Sequence, residues 1–139
     1  MPSPTSRTLQ LLRREGYTPG VVERRLPNVP ATVDLFGCFD VVAVKAGVAG
    51  VLGIQATSGT NHASRVRKLL GSPALRTWLA AGNRAEVWSW AKDWRGRWQP
   101  RRAALLPADL EGVAVREPPR PRRRRRKPEQ PTLFDGTGW

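Results

Sequence analysis

Two short apolar runs joined by a glycine turn restrict the fold of this chain more than any other feature. Residues 38–45 read Cys-Phe-Asp-Val-Val-Ala-Val-Lys and residues 51–57 read Val-Leu-Gly-Ile-Gln-Ala-Thr, with Gly47 and Gly50 between them. Both are β-branched and nearly all apolar, the pattern of strands covered on both faces, so the second is expected to return beside the first. Upstream, residues 5–16 predict a helix, with Thr5 or Ser6 as N-cap and Gly16 as its stop. Pro19-Gly20 predicts a turn, residues 21–26 a strand ended by Pro27, and residues 28–32 a loop. Downstream, residues 58–61 form a loop with Asn61 as N-cap, and helices follow at 62–70 and 73–81, the second opened by Pro73 at its first position. Residues 84–91 and 97–105 then predict a Trp-rich hairpin turning at 93–96. The order α-β-β-β-α-α-β-β describes an α/β fold, a small mixed sheet flanked by helices, over residues 1–106.

Residues 107–139 differ in kind. Five prolines fall within 116–131, together with the run Arg122, Arg123, Arg124, Arg125, Arg126 and Lys127. Such a segment has too little apolar surface to fold alone and predicts a disordered basic tail, ending in an apolar island of Leu133, Phe134 and Trp139. The whole chain of 139 residues carries 24 Lys and Arg against 11 Asp and Glu, a net charge of +13. Residues 1–115 alone hold 16 of the cations and eight of the anions, so the body is basic without its tail and nucleic acid is the default partner. Cys38 is the only cysteine and His62 the only histidine. That excludes a disulfide framework, which suits a reducing cytoplasm, and a four-ligand structural zinc site of Cys and His. No apolar run approaches the ~20 residues of a membrane span, and the opening Met-Pro-Ser-Pro-Thr-Ser-Arg lacks the apolar core of a signal peptide.

Polar residues interrupt both central runs. Side chains alternate across a strand, so Asp40, Val42 and Val44 share one face, as do Val51, Gly53, Gln55 and Thr57. Pairing of the two strands brings Asp40, Gln55 and Thr57 together near one edge of the sheet. Asp is almost never fully buried without a partner, and a carboxylate, an amide oxygen and a hydroxyl are ligands suited to a hard divalent cation. A plainer arrangement uses the same residues: Asp40 caps a strand end while Gln55 and Thr57 satisfy loop backbone groups. Asp34 precedes Asp40 by six residues, and a bulge at Gly37 turns it toward the same place; otherwise it is a solvated loop residue.

The stretch Asp40-Val-Val-Ala-Val, a glycine turn, Leu52-Gly-Ile-Gln55-Ala-Thr57 and a following helix resembles the core of the PD-(D/E)xK nuclease superfamily, above all its Holliday-junction-resolvase-like and restriction-endonuclease-like branches. Val33-Asp-Leu-Phe-Gly-Cys-Phe-Asp40 with Gln55-Ala-Thr57 is also similar to small bacterial and phage proteins of that type. The resemblance spans roughly residues 5–103 and implies a restriction-endonuclease-like core. It implies Mg²⁺ (or Mn²⁺) held by Asp40 and Gln55, with Asp34, Glu23 or Glu15 as a further acidic ligand, and hydrolysis of DNA phosphodiester bonds. Two residues beyond the Glu or Gln position the family usually has a lysine; here Thr57 stands there and cannot supply a cation. On a helical wheel Lys68 points away from the sheet, whereas His62 and Arg65 lie nearer its sheet-facing side. These two are therefore the candidates for a cationic or proton-transferring group, although His62 also reads as a packing residue. Resolvase-like action implies a homodimer.

Arg65, Arg67, Arg76, Arg101 and Arg102 are placed to track phosphates. Trp94 and Trp98 flank Arg95 and Arg97 at a turn, a setting for stacking on bases, while Trp88 and Trp90 share a strand face and read as core. In the tail, Gln130-Pro-Thr-Leu133-Phe134 resembles the bacterial sliding-clamp-binding peptide, whose pattern is Gln, a variable residue, Ser or Asp, Leu, Phe. The resemblance implies Leu133 and Phe134 in an apolar pocket of the clamp with Gln130 hydrogen-bonded beside it; Pro131 and Thr132 depart mildly from the pattern. The Arg122–Lys127 run then holds DNA next to the clamp, or simply solubilises the tail. The expectation is a branch- or junction-directed DNA nuclease of a bacterial or phage nucleoid, recruited to the clamp. The alternative is a catalytically inactive DNA-binding adaptor on the same fold. A ribosomal or RNA-binding role fits the charge but leaves Asp40 and Gln55 without a purpose.

Overall fold

The computed structural model describes residues 2–113, and the clamp-like peptide at Gln130, Leu133 and Phe134 and the Arg122–Lys127 run lie outside them. Helix α1 spans Pro4–Arg14. Its cap is Ser3, whose Oγ accepts from the Ser6 amide at 3.1 Å, and not Thr5 or Ser6: Pro4 takes the first helical position, where a missing N–H leaves nothing unsatisfied. The strands β1 (Thr18–Val21), β4 (Val41–Val44), β5 (Leu52–Ser58), β6 (Arg84–Lys92) and β7 (Trp98–Leu105) form one sheet in the order β1-β4-β5-β6-β7, and β2 (Arg24–Arg25) pairs only with β3 (Thr32–Val33). Helices α2 (His62–Leu70) and α3 (Pro73–Ala80) connect β5 to β6.

β5 and β6 pair in parallel, and every other pairing is antiparallel. A parallel pair needs a crossover, and α2 with α3 supplies it on one face while α1 covers the other. The α1 face buries Leu12, Val41, Ala43, Leu52, Ile54, Trp88 and Trp90 together. The α2–α3 face packs Leu69, Leu75 and Leu79 against Val87, Leu105 and Phe39. Gly53 lies directly under Phe39: a Cβ there would come within 2.8 Å of the ring, so only glycine lets the aromatic side chain cross the sheet. The α/β class and the mixed five-stranded sheet with three helices follow the sequence pattern.

Several boundaries do not. Pro19 and Gly20 sit inside β1, opposite Ala43 and Val42, rather than in a turn. β1 is an edge strand, where proline's missing donor faces outward. The strand expected over 21–26 is broken: the Val22 N–H still donates to the Asp40 carbonyl at 2.9 Å, and the chain then leaves the sheet for the small β2–β3 hairpin. The strand expected from Cys38 begins only at Val41. Asn61 precedes α2 but donates to Ser58 Oγ at 3.1 Å instead of capping the helix. Packing also continues past residue 106: Leu110 is buried in the α2–α3 core, and Arg76 holds the carbonyls of Leu110 and Val113 at 3.2 and 3.1 Å. Among the described residues no helix is long and apolar enough to cross a membrane.

Candidate metal centre at the end of the central strands

The turn before β4 creates the site. Phe36 and Gly37 both take left-handed backbone conformations, φ +56° and +67°, and Leu35 pairs with Phe39 through bonds in both directions at 2.8 and 3.2 Å. This tight reversal, not a strand bulge, folds Asp34 back beside Asp40. Asp40 stands one residue before β4, its amide bonded to the Ile54 carbonyl at 3.1 Å. Its carboxylate continues the ladder where the backbone stops, accepting from the Ala56 N–H at 3.0 Å through Oδ1 and 3.3 Å through Oδ2. The strand-capping arrangement is therefore real, and it fixes the carboxylate at the open end of β5.

Gln55 reaches the same point from β5. Turned one way, its amide NH₂ donates to the Cys38 carbonyl at 2.8 Å and to Asp34 Oδ2 at 3.2 Å. In this orientation its Oε1 is the atom turned toward Asp40 Oδ2, 3.5 Å away. Asp40 and Gln55 are each 4 % exposed. Burial, followed by the nearby Asp34 and Glu23 carboxylates, pushes the Asp40 carboxyl up to about 7, against the opposing pull of the Ala56 N–H. The structure thus gathers Asp40, Gln55, Asp34 and, at longer range, Glu23. Glu15 is elsewhere: Arg102 grips it with two bonds of 2.9 and 2.5 Å on the α1 side. Among the described residues no three His, Cys, Asp or Glu side chains cluster as a metal-holding group, so a cation here would depend on the Gln55 amide oxygen and the Cys38 carbonyl besides the two aspartates.

A second polar cluster borders the first. The register places Thr57 beside Ser89 and Ser89 beside Arg101, three polar residues in a row across β5, β6 and β7. His62, at the start of α2, joins this row through Nδ1 to Ser89 Oγ at 2.5 Å. Burial, with a smaller push from Arg101, lowers the His62 pKa, so the imidazole is neutral at pH 7. Thr57 is a buried residue, and its hydroxyl makes no side-chain hydrogen bond among the described residues. The apolar side of α2 is centred on His62, Val66 and Leu69, whereas Ala63 is exposed. Lys68 is accordingly half-buried instead of pointing away from the sheet. The Cys38 thiol reports its proximity: burial raises that pKa, while the Ser72 hydroxyl and then Lys68 lower it. Lys68 thus lies near the Cys38 thiol, whereas the charges felt by the Asp40 carboxyl are those of Asp34 and Glu23.

Arg65 is half-buried, and Arg67, Arg95, Arg97 and Arg101 are exposed. Arg76 is committed to the Leu110 and Val113 carbonyls and Arg102 to Glu15, so neither is free to track phosphates. Trp88 and Trp90 are core, as their spacing predicts, and Trp94 is 86 % exposed. No protein-family model matches this chain, and no similar protein is found among the curated proteins or the solved structures.

Proposed function

We propose that this chain is a PD-(D/E)xK-like, metal-dependent DNA nuclease with a restriction-endonuclease-like core. The convergence of Asp34, Asp40, the Gln55 amide and the Cys38 carbonyl at the end of β5 carries this reading. Buried oxygen atoms facing one another are the donor set of a hard divalent cation. Asp40, Asp34 and the Gln55 amide oxygen would hold Mg²⁺ or Mn²⁺, which would supply Lewis-acid activation of a water and charge neutralisation at the scissile phosphate. Asp40 and Asp34 hold the charge, and Gln55 orients between them. His62 presents Nδ1 to Ser89, which would leave Nε2 to accept a proton from water, while Arg65 and Arg101 would offer the positive charge that Thr57 lacks. The tail peptide Gln130, Leu133 and Phe134 would carry this activity to a bacterial-type sliding clamp, with branched or junction DNA as the substrate.

Two observations favour the second reading, a catalytically inactive DNA-binding adaptor. The Asp40 carboxylate is already satisfied by Ala56, and position 57 holds no lysine. Cleavage of labelled duplex, flap and four-way-junction DNA with Mg²⁺ or Mn²⁺ decides between them. The nuclease reading expects metal-dependent cutting that Asp40→Ala abolishes and one DNA shape that is cut best. Tight binding without cutting under either metal sinks it in favour of the adaptor.

A further inference from the structure

The opposite face of the hairpin holds a second, unassigned feature. A concavity of about 370 Å³ lies between α1 and the β6–β7 hairpin, with Arg7 and Arg14 on one wall and Arg97 and Trp98 on the other. No Asp or Glu lines it. The one ion pair among the described residues is Arg102 with Glu15, and Asp93, the hairpin's own acid, is occupied by the backbone N–H groups of Arg95 and Arg97 at 2.8 and 2.9 Å. Three guanidinium groups around one hollow repel one another unless an anion sits between them. The Arg7 guanidinium lies 4.2 Å over the Trp98 ring, which fixes its position at the rim. At the hairpin tip Trp94 stands 86 % exposed, with Arg95 4.5 Å from its ring centre. A solvent-bare indole beside a cationic hollow is the combination that takes stacked bases and their phosphates.

The size and the aromatic tip select the form of that polyanion. The hollow is of single-ligand size, and a base can stack on Trp94 only when it is unpaired. The path also continues. A neighbouring groove of about 680 Å³ shares Trp90, Trp98, Gln99 and Pro100 with the first and reaches Ser58, the residue after Thr57. We infer that the hollow between α1 and the β6–β7 hairpin binds an unpaired polynucleotide strand, with Arg7, Arg14 and Arg97 on its phosphates and Trp94 stacked on a base, and leads that strand toward the end of β5. This deepens the proposed function by naming an unpaired arm as part of the substrate, yet it stands on different residues.

The test uses the full chain in EDTA, so that no hydrolysis enters, and reads the fluorescence anisotropy of labelled oligo(dT), oligo(rU) and a duplex of equal length across a salt series. In the triple variant Arg7→Gln, Arg14→Gln, Arg97→Gln, affinity for at least one single strand should fall about tenfold or more. The salt slope should flatten by about two, at roughly 0.7 for each single-strand phosphate no longer neutralised. Duplex affinity should change less than about threefold. Trp94→Ala, which leaves the charge intact, should weaken the same single strand at least about fivefold. Whether oligo(dT) or oligo(rU) suffers more assigns the strand to DNA or RNA. Unchanged single-strand binding in the triple variant, or loss of duplex binding in step with it, overturns the groove. Strand binding is read in EDTA and cutting in Mg²⁺, so failure of the groove and failure of the nuclease reading are separable. Circular dichroism confirms that these surface variants stay folded.

Discussion

The two faces of the central sheet use alternate residues of the same strands for different ends. On the α1 face, Leu52 and Ile54 of β5 meet Trp88 and Trp90 of β6, and the polar groups of that packing have internal partners. Trp90 Nε1 donates to Thr8 Oγ1 at 2.9 Å, Trp88 Nε1 to Glu86 at 3.2 Å, and Arg102 stacks 4.1 Å over Trp88 while gripping Glu15. On the α2 face, the intervening residues Gln55, Thr57 and Ser89 are polar and buried. There the groups meet like with like: aspartate beside aspartate, and an amide between acceptors. A face built for stability closes its hydrogen bonds within itself. The other closes its bonds around two neighbouring carboxylates, and their crowding raises the Asp40 pKa.

The widest test of this contrast compares one deletion from each face. Trp88→Ala should lose about 3–5 kcal/mol in urea denaturation, the usual loss for truncating a buried aromatic. Thr57→Val, nearly isosteric and breaking no side-chain hydrogen bond, should stay within about 1 kcal/mol of wild type. Equal losses would mean that the α2 face is as tightly built as the other.

An intermediate effect comes from Asp40. Its carboxyl is raised to about 7 by burial and neighbouring carboxylates, above its value in the unfolded chain near 3.9. A raised folded-state pKa contributes stability that is complete below about pH 4 and lost as pH climbs through 7. Asp40→Asn is immune to that loss. It should therefore match wild type near pH 4 and exceed it at pH 8 by on the order of 2 kcal/mol, as thermal melts across pH would read. Millimolar Mg²⁺ should narrow the gap by stabilising wild type alone. A gap that does not vary with pH would contradict the charge crowding described here.

The smallest effect belongs to Glu15→Gln. Its pair with Arg102 is about one-third exposed on each side, so the loss should be at most about 1 kcal/mol and should fade with added salt. A salt-independent loss larger than that would place the pair inside the core rather than at its margin.

Strongly periodic elements were legible from the sequence. The bounds of α2 match, α3 ends one residue early and β5 is shifted by one residue at both ends, because apolar runs, glycines and Pro73 punctuate them. The meeting of Asp40 with Gln55 followed from strand alternation alone. The remaining features were decided by tertiary context. Pro19-Gly20 looks like a turn until the strand is known to lie at an edge. Ser3 outranks Thr5 as cap only because Pro4 must be the first helical residue. The rotation of α2, and with it the placement of His62 and Lys68, depends on a Ser89 partner 27 residues away. The approach of Asp34 needed a non-glycine residue, Phe36, in a left-handed conformation, which residue preferences argue against.

The amide at position 55 has a consequence for the order of events in the cell. A carboxylate there would set a third formal charge among Asp34, Asp40 and the Cys38 carbonyl, and the chain could close this corner only around an ion already in hand. The neutral side chain instead serves as its own placeholder, lending two N–H groups to the loop and presenting its oxygen after half a rotation. On the proposed reading, folding of this corner would not wait for an ion, because Gln55 already closes it with hydrogen bonds to the Cys38 carbonyl and Asp34.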